Sequence, residues 1–304
     1  MFDELQQRLE ERGYRAGIVA AQRLADLREG IYARHRAGLL DEGLYNRYLA
    51  SFEAEPPETL QETKSIIVVA VPDPQGRIFF SWEGQSVPVI VPPTYLHWRQ
   101  VDNRVEEALA EIVGERGYRV ALANLPKKLT AVRSGLAVYG RNNVTYVPGM
   151  GSLYRLVILW SDLPCEEDNW EELRALDACE KCEACRRACP TGAISSDRFL
   201  LHAERCLTFF NEKPGELPFP DWLDPSWHNC LVGCMRCQRV CPENKEVKDW
   251  VEGKEEFTEA DTALLLAGVG QEHLPPETTE KLESLDLIEL LDIIPRNLKA
   301  LLSA

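Results

Sequence analysis

Apolar positions recur in three patterns along the chain, and each predicts a different kind of element. Ser65-Ile-Ile-Val-Val-Ala-Val71 is an unbroken, β-branched run stopped by Pro72. A run so short and so branched predicts a strand buried on both faces. Val101, Val105, Leu109, Ile112 and Val113 instead recur at helical spacing, which predicts an amphipathic helix over about residues 97–115. Phe2, Leu5 and Leu9 repeat that pattern in MFDELQQRLEERGY, an acidic amphipathic helix rather than a signal peptide. A short apolar stretch, Ala16 to Ala20, precedes a helical segment reaching Leu40. Asn143 to Val147 and Leu153 to Trp160 are strand-like and joined by the turn Pro148-Gly-Met-Gly151. Near the end, Leu282, Leu285, Leu287, Ile288, Leu290, Leu291, Ile293 and Ile294 form the packing face of a helical segment.

These elements divide the chain into an α/β domain over residues 1–164, a cysteine-rich domain over 165–245 and a helical segment over 246–304. Asn211 to Asn229 is a proline-rich wedge with Trp222 and Trp227, read as a loop that covers the cysteines from water. Asp and Glu total 49 against 34 Lys and Arg, for a net charge of −15. Such a surface repels phosphate backbones, so tRNA is disfavoured as a substrate despite a short basic patch of Lys127, Lys128, Arg133 and Arg141. The longest strongly apolar run is far too short to cross a bilayer, and the expectation is a soluble, cytoplasmic protein with no membrane partner.

Ten cysteines change the picture. Cys179, Cys182, Cys185 and Cys189 are followed at once by Pro190, which is the C-x2-C-x2-C-x3-C-P run of two-cluster ferredoxins. A second run, Cys234-x2-Cys237-x3-Cys241-Pro242, lies downstream. The spacing predicts two [4Fe–4S] clusters: Cys179, Cys182 and Cys185 hold the first with Cys241, and Cys189 joins Cys234 and Cys237 on the second. Structural zinc is the competing reading, but zinc prefers two separated C-x2-C pairs closed as a tetrahedron. Disulfides are disfavoured, because nothing looks secreted and 304 residues can build a core without staples. The eighth ligand is ambiguous. Leu231 occupies the regular position, so the candidates are Cys230, one residue off register, and Cys206, far upstream. Cys165 and the remaining member of that pair read as small buried hydrophobes.

A second constellation precedes the clusters: Leu125-Pro-Lys-Lys-Leu129, Arg133 to Asn143, and Gly149-Met-Gly-Ser152. Gly135, Gly140, Gly149 and Gly151 permit positive φ and close backbone approach to a flat ligand, or simply a turn that needs glycine. The segment is neither a P-loop nor a dinucleotide fingerprint.

In order, Gly135 to Asn142, Gly151-Ser152, the C-x2-C-x2-C-x3-C-P-T-G-A-I of Cys179 to Ile194 and the G-C-x2-C-Q-x-V-C-P of Gly233 to Pro242 resemble the epoxyqueuosine reductase family. The resemblance runs from roughly Ser65 to Asn244, with an echo at Ile294-Pro-Arg-Asn-Leu298. It implies two clusters beside a base-off cobalamin, held by an α/β domain also similar to that of the corrinoid-binding reductive dehalogenases. It implies Cys206 as the eighth ligand, and Gly135, Gly140, Arg141, Asn142 and Ser152 against the corrin. A ferredoxin or flavodoxin would supply the electrons.

The sequence also departs from that family. The family's proton-donating Asp-Tyr-His stretch corresponds to Pro92-Pro-Thr-Tyr-Leu-His-Trp98, with no acid before Asp102, leaving Tyr95 and His97 as candidate general acids. Lys127 or Lys128 replaces a usual Glu, Arg141 replaces a Lys, and the helical-repeat module of longer members does not fit in residues 246–304. Three functions follow: a cobalamin-dependent reductase acting on a small or protein-bound substrate, a cobalamin-free electron-transfer protein serving another enzyme, or a tRNA epoxyqueuosine reductase.

Overall fold

The run at Ser65 becomes the centre of a sheet in the computed structural model, which describes residues 2–50, 55–60 and 62–303. In chain order the strands are β1 (Arg15–Ala20), β2 (Ser65–Pro72), β3 (Gln75–Trp82), β4 (Gln85–Val91), β5 (Val120–Leu122), β6 (Val138–Tyr139), β7 (Thr145–Tyr146), β8 (Tyr154–Ser161), β9 (Val251–Glu252) and β10 (Glu256–Phe257). Two compact units share them. Met1–Pro72, Gln100–Glu183 and Ser196–Ala203 form the first, and Asp73–Arg99, Ala184–Ser195 and Glu204–Ala304 the second. The units interleave instead of following the consecutive division at 164 and 245, because β3 and β4 find their apolar partners late in the chain.

The first unit is a β1-β2-β8-β5 sheet, antiparallel at every pairing. Its helices are α1 (Phe2–Glu10), α2 (Leu24–Arg36), α3 (Trp98–Gly114) and α4 (Lys127–Arg133). Alternate residues of β2 enter opposite cores. Ile66, Val68 and Ala70 pack with Ala131 and Val132 of α4, while Ile67, Val69 and Val71 pack with Leu5 and Leu9 of α1 and with Val101, Val105 and Leu109 of α3. Helices on both faces explain why β2 is apolar throughout although its neighbours run antiparallel. Each fully buried Val or Ile contributes about 1.5–3 kcal/mol relative to exposure. The expected hairpin of residues 143–147 with 153–160 does not form: β7 pairs with β6, and β8 joins the large sheet.

The second unit begins with the β3–β4 hairpin. Its two-residue turn places Glu83 and Gly84 at φ 51° and 72°, and both signs match the hairpin's own twist. Ile78, Phe80, Val89 and Val91 pack against Phe257 and the expected C-terminal face, including Leu282, Leu285, Leu287, Ile293 and Ile294. Helices α5 (Ala184–Ala188), α6 (Leu207–Asn211) and α7 (Arg236–Arg239) carry cysteines or adjoin them, and α8 (Glu259–Ala267), α9 (Pro276–Ser284) and α10 (Ile294–Leu302) complete the unit. From α10, Arg296 donates to the carbonyls of Phe210, Asn211, Lys213, Pro214 and Leu217 at 2.8–3.1 Å. Asn297 donates to the carbonyls of Asn211 and Leu231 at 3.0 and 2.9 Å. The four Nη N–H donors of one planar guanidinium thus satisfy a loop that has almost no ladder of its own, while Nε donates to Asn297 Oδ1 at 3.1 Å.

Candidate iron–sulfur and redox site

The cysteines expected on the second cluster all lie in the second unit. Cys189 follows α5, Cys206 precedes α6, and Cys234 and Cys237 flank the start of α7. Burial pushes the Cys206 thiol up, and the Cys234 and Cys189 sulfurs push it further, so Cys206 lies within electrostatic reach of both. Cys230 is fully buried, burial and then the Cys234 sulfur drive its thiol far up, and its Sγ donates to Asn229 Oδ1 at 3.2 Å. The same Asn229 donates from Nδ2 to Cys234 Sγ at 3.2 Å and accepts from the Met235 N–H at 2.9 Å. An amide aimed at a ligand sulfur is one of the interactions that set cluster potential. None of the ten cysteines is in a disulfide. Among the described residues no three His, Cys, Asp or Glu converge as a mononuclear ion would require, whereas a cube takes each thiolate at a separate corner.

Gly233, just before Cys234, sits at φ 73°, and a Cβ there would come within 2.9 Å of the Tyr95 ring. Asn211 Nδ2 fixes this glycine by donating to its carbonyl at 2.7 Å. The Tyr95 hydroxyl donates to Glu212 Oε1. Burial raises its phenol well above the ordinary range, and the Glu212 charge and the Cys206 and Cys230 sulfurs add to the effect. Tyr95 is therefore a protonated group in reach of Cys206 and Cys230. Glu212 escaped the sequence reading because it lies 117 residues from Tyr95, with no local signal. His97 is engaged elsewhere: it sits at φ 51°, and its Nδ1 bonds the Ser284 carbonyl at 2.9 Å, which anchors α9. His228, also unforeseen, is 5% exposed with neither ring nitrogen hydrogen-bonded, and burial with the Arg296 charge lowers its pKa to about 4.

In the first unit, both Asp102 oxygens accept from Arg155, at 2.6 and 2.8 Å. Asp102 is thus half of a buried ion pair rather than an available acid. Lys127 lies 3.9 Å from the same carboxylate, and burial together with Arg155 pulls its pKa down to about 8. The glycine segment is occupied with its own neighbours. A Cβ on Gly140 would meet the Tyr146 ring at 2.5 Å, and Asn142 donates to the Tyr146 hydroxyl at 3.1 Å and accepts from the Val144 N–H at 3.3 Å. Ser152 is buried, and Gly135 turns at φ 75° against Glu171. Arg141 reaches Cys179: its N–H lies 3.4 Å from Sγ, and Nη2 donates to the Cys179 carbonyl at 2.5 Å. A cleft of about 480 Å³ opens beside Cys179, lined in part by Arg141, Asp177, Arg198 and Phe199.

Residues 178–244 match the 4Fe-4S double cluster binding domain, so the two runs carry two [4Fe–4S] clusters. The epoxyqueuosine reductase of Bacillus subtilis (strain 168) is 35% identical over 126 residues, 41% of this chain and 31% of that protein. That of Cyclobacterium marinum is 33% identical over 141 residues, 46% and 44% of the two chains. Over these segments the chain is similar to the epoxyqueuosine reductases. The solved epoxyqueuosine reductase from Streptococcus thermophilus superposes over 100% of this chain and 81% of its own with a TM-score of 0.67 at 20% identity, which establishes a shared fold. Each matched segment spans less than half of the curated epoxyqueuosine reductase it aligns with. No helix among the described residues is long and apolar enough to cross a membrane.

Proposed function

We propose that this chain is an iron–sulfur reductase that relays low-potential electrons through two [4Fe–4S] clusters to a small or protein-bound substrate. The observation that carries this reading is the Tyr95 ring packed on Gly233, next to Cys234, with its hydroxyl in electrostatic reach of Cys206, which Cys234 and Cys189 reach in turn. It puts a one-electron carrier next to a group that holds a proton. Cys206 is the proposed eighth ligand, and Tyr95, positioned by its bond to Glu212, is the proposed holder of the proton. The clusters supply the electrons. The chain's own residues exclude water, hold the phenol proton at Oη and present hydrogen bonds to sulfur. A ferredoxin or flavodoxin is the proposed donor in a reducing, cytoplasmic compartment, approaching the cleft beside Cys179.

A corrinoid between clusters and substrate is the finer reading, and it rests on the family resemblance alone. Gly140, Arg141 and Asn142, expected against the corrin, are turned to their own neighbours. They do not form a cradle for it, and no step is assigned to it. A corrinoid-free relay is the second reading, favoured by the locked Asp102–Arg155 pair where an available acid would otherwise stand. A tRNA substrate draws support from a structural neighbour solved with an epoxyqueuosine-modified tRNA stem loop, and the net charge of −15 opposes it.

The test is anaerobic. The loaded protein should hold about eight irons and eight sulfides, and added cob(II)alamin should be examined by EPR before and after desalting. Loss of the axial-nitrogen hyperfine pattern with cobalt retained selects the corrinoid reductase, and a spectrum that washes away selects the relay. Bound zinc without a chromophore overturns both.

A further inference from the structure

Arg141 stands in the turn between β6 and β7, closed by Gly140 N–H on the Val144 carbonyl at 2.8 Å and Asn143 N–H on the Gly140 carbonyl at 2.9 Å. β6 is tied to the segment that leads into the first cluster ligand: Leu176 N–H donates to the Tyr139 carbonyl at 2.8 Å, and Cys179 N–H donates to the Leu176 carbonyl at 2.9 Å. The turn is thereby held against Cys179. From it, the Arg141 N–H lies 3.4 Å from Cys179 Sγ, Nη2 bonds the carbonyls of Cys179 and Glu180 at 2.5 and 3.5 Å, and Nη1 lies 3.7 Å from Glu183. The remaining donor, Nε, is buried with no partner.

We infer that Arg141 is a positioning residue for the first [4Fe–4S] cluster, which fixes Cys179 and raises that cluster's reduction potential. Reduction adds one electron to a thiolate-bound cube. A fixed guanidinium and an N–H directed at a ligand sulfur favour the more negative state, so they make reduction easier. The orphaned Nε is the mark of a donor whose acceptor is the cluster itself, since a buried donor without any partner is rare. The glycine on one side and the Asn142–Tyr146 bond on the other then serve to hold this turn in register with Cys179. The inference rests on the two-cluster content and not on the reductase reading.

The experiment is an anaerobic redox titration of both cluster EPR signals in the loaded full-length protein, without substrate, for wild type, Arg141→Gln and Arg141→Lys. In Arg141→Gln one signal should become about tenfold harder to reduce, the scale of one charge-assisted hydrogen bond, or about 59 mV for a one-electron couple. The other signal should stay in place, and Arg141→Lys, which keeps the charge but not the fork, should fall between. Unchanged potentials with full iron would overturn the proposal. So would loss of about half the iron in both variants, because Arg141 would then assemble the site rather than tune it. Lost reductase activity with wild-type potentials would count against this inference and leave the functional reading intact.

Discussion

Removing the Asp102 carboxylate should destabilise the protein more than any other single change in the first unit's polar interior. Asp102 lies in the second turn of α3 and Arg155 on β8, with side chains 12% and 8% exposed and two bonds between them at 2.6 and 2.8 Å. In Asp102→Ala a guanidinium is left without its bidentate partner, at a cost of about 3–5 kcal/mol. Asp102→Leu combined with Arg155→Met removes both charges and should recover most of that loss. Anaerobic urea denaturation with the slope held constant gives the comparison. Lys127 offers a second readout. Burial and the Arg155 charge hold it near 8 and only Asp102 opposes them, so in Asp102→Ala it should titrate lower still, as followed by NMR of the side chain. A loss below about 1 kcal/mol in Asp102→Ala would refute the reasoning. Lost activity at unchanged stability would mean instead that Asp102 is an acid in use.

Two further predictions concern the second unit. Cys206→Ala should lose about half the iron while Cys230→Ala keeps all of it, and iron and sulfide analysis that gave the reverse would reassign the ligand. His228 has a folded pKa of about 4, below its ordinary 6.5. The unfolded chain therefore takes up the proton first, and stability is full above 6.5 and lost as pH falls towards 4. Between pH 7.5 and 5.5 this amounts to about 1.4 kcal/mol. His228→Phe should flatten that part of the urea-derived pH profile, and an unchanged slope would place the loss in other groups.

Local pattern foretold what local forces decide. The run Ile66 to Val71 could only be a strand covered on both faces, and Val101 to Val113 could only be a helix with one buried stripe. Chain-distant partners were invisible. The β3–β4 hairpin looked like part of the first layer because its neighbours in sequence are there, yet Phe80 stacks on Phe257 at 5.1 Å between centroids. The cluster cysteines were legible because their spacing is itself the chemistry. The eighth ligand was not, since Cys206 and Cys230 both lie within reach of Cys234 and differ in their hydrogen bonds rather than in spacing, Cys230 alone donating to the Asn229 amide. Tyr95 was singled out from an aligned motif, but what gives it meaning is Glu212, which no periodicity could have brought to it.

Arg296 and Asn297 have a bearing on how the molecule is made. They belong to α10, and they lock the loop between Phe210 and Leu231, which follows Cys206 and precedes Cys234 in the chain. On the ribosome, Cys189, Cys206, Cys234 and Cys237 emerge before that helix exists. For this interval the nascent polypeptide presents these four cysteines with the loop between them still unlatched. Once α10 docks, the loop is latched, and any step that needs it open must first loosen that helix.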